Sequence, residues 1–266
     1  MSDPSEQSSD IASGPIDAAA AIVERAEHAI DPRPSAERLP PAATVSPRTA
    51  LRRGRRVSLL GIAGIAGFAT VLMYVRSGRS HEFDQDVMHT LQRAQSPLVR
   101  GWMRGASWPG FPPQSRLITP IAIAGLWVAR LRLESLALLA GWGTAVVSTL
   151  AKSLTGRARP VADVRLRVAA GRLGGTSFPS GHVLTYMGTY GLLAYFAHTL
   201  VRNVPVRRFV VGGLVGLLTS VGPSRVHRGH HWPTDVIASY LLGTSYLVAV
   251  ISVYRRIKAR RAGIDP

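Results

Sequence analysis

Cysteine is absent from the 266 residues, which excludes disulfides, thiolate metal sites and a cysteine nucleophile. Lysine is nearly absent too: of 32 basic residues only Lys152 and Lys258 are lysines. Acids number 15, eight of them within residues 1–50, and between Leu117 and Tyr254 only Glu134, Asp163 and Asp235 occur. The resulting formal charge of +17 would suit a nucleic-acid binder, but no recognition motif accompanies it. The arginines gather instead at the ends of apolar runs, as in Arg52, Arg53, Arg55 and Arg56 or Arg255, Arg256, Arg260 and Arg261. There they meet anionic head groups or set topology, so no nucleic-acid partner is expected.

What the chain has in quantity is uncharged apolar sequence. Residues 57–75 contain no charge over 19 positions, close to the ~20 needed to cross a hydrocarbon core. A soluble helix of that length would carry a charged face. Further spans are expected at 117–133, 135–151, 183–201, 209–221 and 236–254, the second marred by Arg130 and Arg132 and the fifth short. Terminal arginines can snorkel to the interface. Between the first two spans, Phe83, Val87, Met88 and Leu91 fall at helical spacing and Trp102 and Trp108 follow, the pattern of an amphipathic interfacial helix. Residues 1–50 are polar and rich in Ala, Pro and Ser, and are expected to form a disordered tail. The domain lines drawn are this tail, a six-span domain over 51–261 and a short tail over 262–266.

Six spans return both ends of the chain to one side, and the terminal arginine clusters make that side cytoplasmic. The junctions on the opposite side then hold the polar clusters: Lys152 through Arg159 and Pro160, Pro179-Ser180-Gly181-His182, Ser224-Arg225, and His231 through Asp235. A phosphate-ester site needs charge and donors for the nonbridging oxygens, a nucleophile in line with the leaving group, and an acid to protonate that group. Lys152, Arg159 and Arg225 supply charge, and guanidinium forks hold two oxygens each. Ser180 and Gly181 begin a span, so their amides and the Ser180 hydroxyl are expected to point free donors at an anion.

His231 and Asp235 are four apart and share a helical face. The carboxylate is expected to take the Nδ1 proton and leave Nε2 as an oriented nucleophile. His182 is left as the acid. Two blander readings stand beside these. Pro179-Ser180-Gly181 also suits a turn and helix cap, and His227, His230, His231 and Asp235 also suit zinc, although the surrounding cations repel a divalent ion. Arg157, Arg165, Arg167, Arg172 and Arg228 are read as topology anchors.

The pattern Lys-x6-Arg-Pro, Pro-Ser-Gly-His and Ser-Arg-x5-His-x3-Asp resembles the type 2 phosphatidic acid phosphatase (PAP2) superfamily over about residues 57–254. That resemblance implies an all-α, six-helix membrane bundle and hydrolysis without metal or cofactor. It implies phosphate binding by Lys152, Arg159, Ser180, Gly181 and Arg225, acid catalysis by His182, and attack by His231 held by Asp235 through a phosphohistidine. The substrate it implies is a lipid phosphate or diphosphate, first undecaprenyl diphosphate. Phosphatidic acid, diacylglycerol pyrophosphate and phosphatidylglycerophosphate suit the same motifs. A non-catalytic lipid-binding or transport protein of this fold would lack a nucleophile or acid, and neither is missing. The expected location is a bacterial inner membrane with the site extracytoplasmic.

Overall fold

The computed structural model describes residues 47–162, 166–168 and 174–262. Most of the expected N-terminal tail lies outside the described residues, as do Asp163, Arg165 and Arg172. Among the described residues there is no strand. The helices described are α1 (Pro47–Arg76), α2 (His81–Gln92), α3 (Pro97–Ser107), α4 (Gln114–Val128), α5 (Arg132–Trp142), α6 (Thr144–Lys152), α7 (Gly181–Leu200), α8 (Val204–His227) and α9 (Pro233–Arg261), with a 3-10 turn at Trp108–Gly110.

Local chemistry sets several boundaries. Ser96 accepts from the Val99 amide (3.2 Å) ahead of Pro97 at the start of α3, and Asn203 accepts from Val206 (3.1 Å) ahead of α8. Each relieves an amide that has no partner within its helix. Each expected span lies mainly on helix. Among the described residues four stretches, Val57–Arg76, Arg132–Lys152, Val204–His227 and Pro233–Arg261, are long and apolar enough to cross a membrane. The second joins α5 to α6 across Gly143.

The other two expected spans differ in instructive ways. The span expected at 117–133 ends early, because Arg130 adopts φ 62° in a tight turn after Val128. Arg130 is thereby outside the apolar helix and Arg132 begins the next. α7 has 20 residues but a mixed composition. It packs against α5, α6, α8 and α9, so Tyr186, Thr189 and Tyr190 are buried against protein. Between membrane helices the hydrophobic effect gives little drive, and close backbone approach takes over. Gly188 on α7 shows this: a Cβ there would stand 2.1 Å from the Gly141 carbonyl oxygen of α5.

Residues 76–116, expected as amphipathic helix, form α2, α3 and the 3-10 turn. The inward face of α2 is only partly the expected apolar one: Met88 is buried and Leu91 packs against the same core, but polar side chains join them. Asp84, Met88 and Gln92 are buried and Phe83 is exposed. Two core clusters fill the bundle. One, around Met88, Val183, Tyr186, Val226 and Trp232, underlies the motif end, and the other, around Leu138, Leu192, Phe196 and Tyr254, lies at the far end. At that far end Glu134 accepts from Tyr254 (2.7 Å) and Lys258 (2.5 Å), tying the start of α5 to the last turns of α9.

Candidate active site

The end of α6, the start of α7, the end of α8 and the start of α9 meet at one end of the bundle and bring the three motifs together. Gly229, at φ +72°, turns the chain from α8 toward α9, and a Cβ there would lie 2.4 Å from the Arg167 carbonyl oxygen. This left-handed turn suits glycine. It delivers His230 and His231 into the interior, 4% and 2% exposed.

His231 is held at both ring nitrogens. Nδ1 lies 2.8 Å from the Ser177 carbonyl oxygen, so it carries the proton. Nε2 lies 3.2 Å from an Arg159 guanidinium nitrogen. That leaves the Nε2 lone pair directed at a cation, where a phosphate would sit. Burial lowers the His231 pKa to about 4 and Asp235 opposes the shift, so the ring is neutral at neutral pH.

The acceptor of the Nδ1 proton differs from the expected one. Asp235 Oδ2 stands 3.6 Å from Nδ1, an electrostatic distance, because its lone pairs are taken by other donors. Oδ2 accepts from the Ser177 hydroxyl and the Trp232 amide (2.9 Å), and Oδ1 accepts from Arg157 (2.7 Å). Ser177 therefore bridges the pair, its carbonyl on the imidazole and its hydroxyl on the carboxylate.

Arg157, read from sequence as a topology anchor, is the centre of this network. One nitrogen reaches Asp235 and Thr234 (both 2.7 Å), and the other reaches Asp84 and Ser80 (3.1 Å). Its guanidinium lies 5.6 Å from the Trp232 ring centroid. Asp84 in turn accepts from the Thr234 amide (2.8 Å) and hydroxyl (2.9 Å) at the first turn of α9. Sequence reasoning missed Asp84 and Ser177 altogether. The one available signal was Arg157 itself, two positions before Arg159 in a run already singled out.

The remaining motif residues line the same end. Lys152 Nζ lies 3.9 Å from where a Cβ on Gly181 would stand. Arg225 is fully buried; one nitrogen reaches Ser107 (3.4 Å), and Nε and Nη2 have no partner. The Ser180 hydroxyl and His182 Nε2 are likewise buried and unpartnered. The Ser180 amide, expected to be free, instead donates to Ser239 (2.7 Å). Buried polar atoms in native structures nearly always have partners. An anion between these groups would supply them. A small cavity lined by Gly110, Ser115, Trp142, Ala145, Gly181, His182 and Thr185 opens beside His182.

The zinc alternative does not assemble. His227 Nε2 lies 2.9 Å from the Ala94 carbonyl oxygen, and among the described residues no three His, Asp or Glu side chains gather as a metal site.

The description "PAP2 superfamily" belongs to the family model that matches residues 133–259, a segment holding all three motifs. Over 91 residues the chain is 34% identical to phosphatidylglycerophosphatase B of Bacillus subtilis (strain 168), covering 32% of this chain and 42% of that one. Over 68 residues it is 40% identical to undecaprenyl-diphosphatase of Sulfolobus acidocaldarius, covering 26% of this chain and 29% of that one. The matched segments thus span less than half of either relative. The fold is like that in the crystal structure of a transmembrane PAP2 type phosphatidylglycerolphosphate phosphatase from Bacillus subtilis. The TM-score is 0.63 at 22% identity, over 74% of this chain and 96% of that one. The chain is thus similar to the PAP2 superfamily over a segment a little under half of its length.

Proposed function

We propose that this protein is a PAP2-type membrane phosphatase that hydrolyses a phosphate or diphosphate ester of an amphiphilic lipid through a phosphohistidine at His231. The observation that carries it is the state of His231. Its Nδ1 proton is anchored on Ser177, and its Nε2 lone pair faces Arg159 amid buried, unpartnered donors. In the first step Nε2 bonds to phosphorus as the phosphorus–oxygen bond to the leaving group breaks. His182, whose pKa burial and then Arg225 hold well below the ordinary imidazole value, takes up a proton as the phosphate brings its negative charge beside it. It gives that proton to the leaving oxygen. In the second, water assisted by His182 cleaves the nitrogen–phosphorus bond and frees inorganic phosphate. Lys152, Arg159, Ser180, Gly181 and Arg225 bind the phosphoryl oxygens and stabilise the charge that builds on them. Asp235 offsets the positive charge that develops on His231. Three cations perform what a divalent ion would otherwise do, so the reaction proceeds without metal.

The domain reading is a six-span bundle over 51–261, with the motif end extracytoplasmic and both termini cytoplasmic in a bacterial inner membrane. Undecaprenyl diphosphate is the first substrate, supported by the relative of that activity at 40% identity over the matched 68 residues. Phosphatidylglycerophosphate is the second, supported by the Bacillus subtilis relative at 34% identity. The test is phosphate release from a panel of lipid mono- and diphosphates by purified protein, with His231→Ala as control. Release from at least one lipid that is lost in His231→Ala supports the proposal, and no release from any, or release that survives the substitution, contradicts it. Excess chelator should leave the rate unchanged.

A further inference from the structure

Two side chains beyond the residues assigned above have the same unmet polar demand. His230 is 4% exposed, and both its ring nitrogens are buried without a partner. The Arg228 Nε atom is buried without a partner as well. Leaving a buried donor unsatisfied is costly, so this concentration of them calls for a ligand. Neither residue is needed to hold the phosphoryl group at His231, for which Lys152, Arg159 and Arg225 already supply three positive charges.

Both lie against the same aromatic ring. Phe111, directly after the 3-10 turn, has the Arg225 guanidinium 4.8 Å and the Arg228 guanidinium 5.7 Å from its ring centroid. The His182 and His230 rings stand edge-on to it at 4.8 Å and 5.9 Å. Cation–π contact accommodates the two guanidinium groups without satisfying the hydrogen-bonding edge of either. Arg104 adds a further positive field at Arg228. None of these cations has a carboxylate within ion-pair distance among the described residues, where Arg157 and Lys258 take the recorded Lys and Arg ion pairs. The positive charge therefore continues past the first phosphate position, and a monophosphate leaves its outer part unmet.

We infer that Arg228 and His230, next to Arg225, form a second anion subsite that takes the inner phosphate of a diphosphate ester whose terminal phosphate lies at His231. This rests on the proposed phosphatase reading and narrows its substrate class to diphosphates. The terminal phosphorus bonds to His231 Nε2 and the bridging phosphorus–oxygen bond breaks. The leaving group departs as a lipid monophosphate whose new oxygen carries the negative charge that Arg228 and the His230 N–H receive. Water then releases inorganic phosphate.

The test measures kcat/KM of the full-length protein in vesicles on a prenyl diphosphate and on the monophosphate of the same alcohol. Inorganic pyrophosphate is added as a competitor, to separate recognition of the bare diphosphate from recognition of the lipid ester. Wild type is compared with Arg228→Gln and His230→Asn. The ratio of kcat/KM on diphosphate to that on monophosphate should fall at least tenfold in each variant. An unchanged ratio overturns the subsite while leaving the phosphatase reading intact. Wild-type inactivity on both lipids, or activity that survives His231→Ala, overturns that reading and the subsite with it. Should a variant fail to fold, wild-type inhibition by a methylene-bridged diphosphate lipid decides. Binding at least tenfold tighter than the corresponding phosphonate supports the subsite, and equal binding overturns it.

Discussion

His231 and His182 differ in what surrounds their ring nitrogens, and the difference supports the separate roles proposed for them. His231 is fixed between Ser177 and Arg159, whereas His182 Nε2 has no partner and stands beside a cavity. An acid matters in proportion to the basicity of the leaving oxygen. His182→Ala should lose most of its activity on a lipid monophosphate, whose leaving group is a strongly basic alkoxide. It should lose far less on a diphosphate, whose leaving phosphate has a pKa of about 6, and His231→Ala should be inactive on both. Equal losses across the two leaving groups would mean the roles are wrongly assigned. The pH profile adds a second check. Because the His231 pKa is lowered to about 4, the neutral nucleophile persists as pH falls from 7 to 5 and is lost only as pH falls through that value. After allowance for substrate ionisation, the acid limb of kcat/KM should lie below pH 5, and a limb near 6.5 would contradict the assignment. The third residue-scale prediction concerns Arg157, whose partners lie 73 and 78 positions away. Such partners are invisible to motif spacing, which is why a lone arginine beside a span reads as an anchor. Arg157→Gln strands two buried carboxylates, at a cost of about 3–5 kcal/mol. Asp84→Asn keeps the shape and should lower kcat about 10- to 100-fold by misplacing His231, with KM little changed. An unaltered kcat in Asp84→Asn would reduce the network to scaffolding.

At the scale of elements, the long apolar runs were legible because a membrane span must be apolar over most of its length. The motifs were legible because their chemistry is compressed into a few positions at helix ends. What escaped was everything that depends on a helix's neighbours. α7 carries polar residues since protein surrounds it. α2 turns Asp84 inward because Thr234 and Arg157 receive it, and the Ser180 amide is consumed by Ser239, a residue on another helix. The tightest of these contacts is testable. Gly188→Ala puts a Cβ against Gly141 and Thr144 and should destabilise by about 1–3 kcal/mol. It would also displace the helix whose first turn carries Gly181 and His182. Gly212→Ala, where the new Cβ meets nothing within 4 Å, should be neutral or stabilise by about 0.4–1 kcal/mol. Thermal unfolding of the two variants compares them directly, and equal stability would remove close packing as the reason for Gly188.

For the whole molecule, the helices bring all three motifs to one end of the bundle and the Glu134–Tyr254–Lys258 clamp to the other. An amphiphile can keep its tail in the bilayer while its head group reaches the motif end. With no native cysteine, single cysteines report sidedness cleanly. Gly174→Cys, at the motif end, should react with an impermeant thiol reagent in intact cells, and Ala129→Cys, beside the α4–α5 turn, only after permeabilisation. The reverse pattern would invert the proposed topology. The central claim, that phosphorus is transferred to His231, has a more direct test. In His182→Ala, an aryl phosphate leaves without an acid while hydrolysis of the intermediate is slowed, so the phosphoenzyme should accumulate. After incubation with phosphorus-labelled aryl phosphate and an alkaline quench, peptide mapping should find acid-labile label on the His231 peptide, and none when His231→Ala is added. Label on any other residue, or label that survives the loss of His231, would contradict the account.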